Sequence, residues 1–111
     1  MRDRYAPEAL VHTDTVQALG KIDLPLHDWG VDLASFSAHK IGGPKGIGAL
    51  YVKRGTKMFT TAFGGGQERG LRSGTEAVFL IAGFAEAMRL TYRSREADNE
   101  AMRNIWHYTV K

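Results

Sequence analysis

The stretch "SFSAHKIGGPKG" (35–46) brings a lysine, Lys40, to the end of an apolar run and follows it with glycines. A partly desolvated amine in such a place has a lowered pKa and can condense with a carbonyl as a Schiff base. A lone lysine just past a strand is otherwise a surface group, so its neighbours decide. Ser37 and His39 stand at alternating positions before it. On an extended backbone they share a side with each other and not with Lys40. A hydroxyl and an imidazole so placed suit a phosphate, while the amine reaches the attached ring from another angle. Asp14 and Gln17 form a second cluster, three residues apart and side by side on a helical turn. A carboxylate holds a pyridine nitrogen protonated, and an amide donates to a neighbouring phenolate oxygen. Taken alone, Asp14 serves equally as a helix cap and Gln17 as a surface residue. A third candidate is Thr75, which closes "GGGQERGLRSGT" (64–75). A hydroxyl at a helix N-terminus, beside free backbone N–H groups, is an anion site and an N-cap at once.

Other chemistry is excluded. "GGPKGIG" fits neither a phosphate-loop nor a dinucleotide fingerprint, because a strand and not a helix follows it. The four histidines (His12, His27, His39, His107) show no paired ligand spacing, so no metal site is expected. The 111 residues contain no cysteine, which removes disulfides, thiolate metal sites and a thiol nucleophile from this chain. The net charge of +3 is dispersed apart from an arginine-rich stretch near the C-terminus, with neither a basic stripe nor an amphipathic basic face. Neither nucleic acid nor membrane is therefore expected as a partner. No apolar run reaches the length of a span and no signal segment opens the chain, so a cytoplasmic protein is expected.

The elements that must position these residues follow from pattern. "ALVHTD" predicts a short strand ending at a polar tip, His12 to Asp14. "TVQALGKIDL" predicts a short helical turn broken by Gly20, and "PLHDWG" a loop. "VDLASFS" (31–37) and "GIGALYVKRG" (46–55) predict strands on either side of the glycine turn. The 64–75 stretch predicts an ordered loop. Ser73 or Thr75 is then expected to cap a helix with Glu76 in its first turn. Ala77, Val78, Ile81, Phe84, Ala85 and Met88 give that helix one apolar face to about Leu90. The charged "TYRSREADNEAMRNIWHY" suggests a second, more polar helix. Strands with polar tips and a closing helix predict an α/β fold, with ligand at the carboxyl ends of the strands.

Three segments in series, "HTDTVQALGK" (12–21), "VDLASFSAHKIGGPKGIGALYVKRG" (31–55) and "GGGQERGLRSGTEAV" (64–78), resemble the class V aminotransferase group of pyridoxal-phosphate enzymes. Within that group the resemblance is closest to the cysteine desulfurases. It implies part of the large cofactor-binding domain of a fold type I, aspartate aminotransferase-like enzyme. Residues 1–90 would belong to that domain, and 91–111 would be a helical continuation toward an absent small domain. Lys40 would bond the cofactor aldehyde and Asp14 would pair with the pyridinium nitrogen. Gln17 would hydrogen-bond the phenolic oxygen, and Ser37, Ala38 and His39 would surround the phosphate. Thr75 would reach the phosphate of the other subunit in a homodimer. The implied substrate is L-cysteine, whose sulfur passes to an enzyme thiolate as a persulfide and leaves alanine. A sulfur-acceptor scaffold for iron–sulfur assembly is an implied partner. Ala38 stands where glycine is common in the family, and the persulfide cysteine is not in this chain. Little or no desulfurase activity is therefore expected of it alone. A selenocysteine lyase, an aminotransferase, or a non-catalytic module that binds cofactor or pairs with a full-length subunit remain the other readings.

Overall fold

A computed structural model describes residues 2–110. After a four-residue helix α1 (Arg2–Tyr5) come three strands, β1 (His12–Asp14), β2 (Leu33–Ser37) and β3 (Gly48–Val52). They form one sheet in the order β1-β2-β3. β1 lies parallel to β2 with His12 opposite Leu33 and Asp14 opposite Ser35. β3 returns antiparallel, with Ser37 opposite Gly48 and Leu33 opposite Val52. The α/β expectation holds.

Alternation decides the faces of β2. Ala34, fully buried, and Phe36 face the core, which puts Ser35 and Ser37 on the other side. The core has two small parts. Leu26, Val31 and Ala34 make one, Leu19, Ala38 and Phe84 the other, and Leu24 and Phe36 pack against both. The strand starts at Leu33 rather than Val31, and Asp32, just before it, is held from both sides. Its buried carboxylate accepts the Val11 N–H at 2.9 Å and lies 3.5 Å from the Lys53 ammonium. Its main chain bonds Val11 on one side and Lys53 on the other, so one residue ties the approaches to β1 and β2 to the end of β3.

Between β1 and β2 the chain makes helical turns rather than a regular helix. The amides of Ala18 and Leu19 both bond the Thr15 carbonyl, and Gly20, at φ +76°, ends the run. Gly20 is also a close approach. A Cβ there would collide with the Thr91 side chain of the long helix α2 (Val78–Thr109).

That helix departs from expectation in three ways. It is one element and not two, because the charged stretch after Leu90 contains no glycine or proline to break it. Its N-cap is Ala77, without a side-chain cap, so neither Ser73 nor Thr75 caps it and Glu76 precedes its first turn. The Ser73 hydroxyl is instead used inside the loop, where it accepts from the Gly66 N–H. Finally, the apolar face is mostly uncovered. Only Phe84 and Ala87 are buried, while Val78, Ile81 and Met88 remain exposed. Contact runs from Gly83 against Pro44 and Ala87 against Gly43 to Thr91, whose hydroxyl donates to the Ile41 carbonyl at 3.3 Å. The last fastenings are the Arg95–Asp23 ion pair and the Asn99 amide on the Lys21 carbonyl at 2.8 Å. From Glu100 to Val110 every residue is exposed.

Candidate functional site

Because β1 and β2 are parallel, their last residues, Asp14 and Ser37, reach the same edge of the sheet. β3 begins at that edge, and a Cβ on Gly48 would meet the Phe36 carbonyl oxygen at 2.5 Å, so the pairing there requires glycine. Extended backbone ends at Ser37 (φ −139°, ψ 130°). Ala38–Ile41 then form one 3₁₀ turn, closed by Gly42 at φ +78°, whose N–H bonds the Ala38 carbonyl.

This corrects the alternation argument for Ser37 and His39. They do not share a side of a strand, since His39 already lies in the turn. The turn nevertheless brings them together, with Ser37 Oγ and His39 Nδ1 2.7 Å apart. Whichever atom carries the proton, the pair keeps a donor for an anion. If the hydroxyl donates to Nδ1, Nε2–H remains; if Nδ1–H donates, the hydroxyl proton is free. Ala38 is fully buried against Leu19 and Phe84 and anchors the turn, while His39 and Lys40 face solvent. The Lys40 ammonium makes no hydrogen bond or ion pair with another described residue, so it is available but not buried as the sequence suggested.

Asp14 is exposed, with Oδ1 accepting the Val16 N–H at 2.8 Å. This local bond is the capping role that the sequence also allowed, and Oδ2 has no partner among the described residues. Gln17 is exposed on the following turns, where its Oε1 accepts from Lys21 Nζ at 3.4 Å. No hydrogen bond joins it to Asp14.

Two residues at this edge went unrecognised in the sequence. Thr15 is buried and doubles the tie between the strands: its N–H and its hydroxyl both donate to the Ser35 carbonyl, at 3.1 and 2.7 Å. It thereby fixes the backbone just after Asp14. His12 places Nε2 2.8 Å from Ser35 Oγ, and Ser35 is the register partner of Asp14. His12, Asp14, Ser35 and Ser37 consequently share the face opposite Ala34 and Phe36. The spacing of His12 and Asp14, two apart on a strand, was the available signal.

Thr75 is exposed in the loop before α2 and has no hydrogen bond to Ser37, His39 or Lys40 among the described residues. The loop is internally tied, as expected of an ordered segment: Gln67 Oε1 accepts the Gly74 N–H at 3.0 Å and Ser73 bonds the Ala62 carbonyl. Two open hollows of about 490 and 520 Å³ lie elsewhere, one around Arg95 and Lys21 and one around Lys53 and Arg54. Neither includes a candidate residue; the chemistry sits on an open edge. Among the described residues no cluster of histidine and carboxylate could hold a metal ion, and no helix is long and apolar enough to cross a membrane.

The family model described as aminotransferase class-V matches residues 3–109. A cysteine desulfurase IscS of Clostridium botulinum is 47% identical over 94 residues, which is 85% of this chain and 24% of the relative. A cysteine desulfurase IscS of Acinetobacter baumannii is 48% identical over 102 residues, 90% of this chain and 25% of the relative. A solved structure titled NifS-like protein superposes with a TM-score of 0.91 at 44% identity, covering 97% of this chain and 30% of its own. The chain thus spans about a quarter of the length of the curated relatives it matches.

Proposed function

The chain belongs to the class-V aminotransferase family, among relatives that are cysteine desulfurases, and from that premise we propose that it is the cofactor-holding part of such an enzyme, acting with pyridoxal 5′-phosphate on L-cysteine. The observation that carries this reading is the Ser37–His39 pair on the turn that presents Lys40, at the edge Asp14 shares. The donor set fits the cofactor: an anion donor, an amine and a carboxylate lie at or just past the carboxyl ends of two neighbouring parallel strands. Bound there, pyridoxal phosphate supplies an electron-withdrawing ring that stabilises the carbanion left when an amino acid loses its α-proton.

The chain's own residues do the rest. Ser37 and His39 grip the phosphate, and the fully buried Ala38 holds their turn at the edge. Asp14, with one oxygen committed to Val16, offers the other to the pyridinium nitrogen. Gln17, whose Oε1 accepts from Lys21, would offer its Nε2–H to the phenolic oxygen, and Lys40 would hold the aldehyde and carry the α-proton. Thr75 serves the phosphate held by a second copy in a homodimer. The persulfide-bearing thiol must come from outside these 111 residues, which contain no cysteine. In this reading residues 1–90 belong to the cofactor-binding domain and the rest of α2 leads toward a further domain. The enzyme is cytoplasmic and delivers sulfur to an iron–sulfur scaffold protein.

The test is to incubate the chain with pyridoxal phosphate, reduce with borohydride and map the label by mass spectrometry. The label is expected on Lys40 and is lost in Lys40→Ala. A label spread evenly over the other lysines overturns the assignment. Alanine release from L-cysteine is expected to be absent or slight, and robust release by this chain would refute the partial-enzyme reading.

A further inference from the structure

We infer that Gln67 is a positioning residue for Thr75, setting the exposed hydroxyl where a phosphate can be held. The inference rests on the phosphate reading of Thr75 proposed above. Its basis is a loop far more constrained than a connection to α2 requires. Gln67 is half-buried while its neighbours on both sides are exposed. Its Oε1 accepts the Gly74 N–H at 3.0 Å, which fixes the residue immediately before Thr75. Gly74 lies at φ +125°, a conformation that side chains rarely adopt, so that hydrogen bond holds a backbone with little preference of its own.

The surroundings are built to seat Gln67 in this position. A Cβ on Gly65 would come within 2.9 Å of both amide atoms of Gln67, so the side chain lies flat on a backbone kept bare for it. The Gly66 N–H donates to Ser73 Oγ at 3.3 Å, making a second cross-tie beside the first. Ser73 itself is anchored by its N–H to the Ala62 carbonyl. The hairpin between the two ties passes through Glu68 (φ 50°) and Arg69 (φ 59°), two successive non-glycine residues in the left-handed region. Such backbone costs on the order of 1–3 kcal/mol per residue and persists only where surrounding contacts impose it. Nothing in the start of α2 uses this construction, since Ala77 caps the helix without a side chain. What the loop delivers is the Gly74–Thr75 backbone.

A double-mutant cycle on the whole chain tests this, with affinities for pyridoxal phosphate and for pyridoxal, which lacks the phosphate. Thr75→Val and Gln67→Leu are each expected to weaken pyridoxal phosphate about tenfold, the worth of roughly one hydrogen bond to a charged group. Pyridoxal binding should be unchanged in both. The double variant should bind pyridoxal phosphate no more weakly than either single one, because Gln67 acts through Thr75. Three results would overturn the inference: equal loss for both ligands on Gln67→Leu, no loss at all, or losses that add to those of Thr75→Val. If Thr75→Val itself leaves the preference for pyridoxal phosphate intact, the phosphate role of Thr75 fails and the inference falls with it.

Discussion

Lys40 reaches its position through the side chain two residues earlier. Ala38 is fully buried against Leu19 and Phe84, and the 3₁₀ turn that carries His39 and Lys40 pivots on it. A larger side chain has no room. Ala38→Leu is expected to cost about 1–3 kcal/mol by overpacking, seen as a lower Tm, and to reduce borohydride labelling of Lys40. Ser37→Ala removes one half of the anion pair while leaving the core untouched. It should weaken pyridoxal phosphate about tenfold relative to pyridoxal, and an unchanged ratio would remove Ser37 from the phosphate site. At this scale the sequence was legible in residue type: an amine, a hydroxyl, an imidazole and a carboxylate lie at or just past the carboxyl ends of β1 and β2. It was not legible in geometry. Alternation assumed a strand through His39, whereas the buried Ala38 and the left-handed Gly42 wind the chain into a turn. His12 and Thr15 were missed because their partner, Ser35, is more than nineteen residues away in sequence and adjacent only through strand pairing.

Helix α2 is held by a few contacts over half its length. Phe84 is the larger of its two buried side chains, and Phe84→Ala is expected to cost about 3 kcal/mol, measured by denaturant unfolding. Gly20→Ala should loosen the same contact from the other side, because its Cβ meets Thr91 and its φ of +76° disfavours any side chain. A Tm as high as that of the unaltered chain would contradict this close approach. On the outer face the Arg89 guanidinium hydrogen-bonds Glu86 and holds its carboxyl below the usual carboxylate range. A carboxyl lowered on folding contributes stability above its unfolded pKa and loses it as pH falls through its folded value. Both groups are exposed, so Glu86→Gln should change Tm little at neutral pH and slightly flatten its fall below the carboxylate range. Periodicity announced this helix but misjudged its start, its length and its burial. The start depends on loop bonds that divert Ser73, and the burial depends on what lies opposite, neither of which periodicity contains.

The whole molecule is thin and extended for its length. Its radius of gyration is 17.2 Å, against about 13 Å for a compact domain of this size. Its accessible surface of 8652 Å² exceeds the ~6,100 Å² usual for a folded monomer of its mass. Phe59, Phe63, Phe79 and Trp106 are all largely exposed. Apolar surface on this scale favours association. Light scattering should therefore give a mass above the 12.3 kDa of one chain, with strong binding of a hydrophobic dye. A monodisperse monomer that binds no dye would contradict this.

The sequence by itself determined the α/β class, the family and the inventory of reactive groups, because these reside in residue identity and in local spacing. Only the tertiary structure decided that Asp14 and Ser37 share an edge, that Ser37 meets His39 across a turn, and that Gln67 is tied to Gly74. Each of those depends on strand register or loop closure. Such pairings join residues by hydrogen bonds whose partners are chosen by the packing of the whole chain, and no local pattern specifies them.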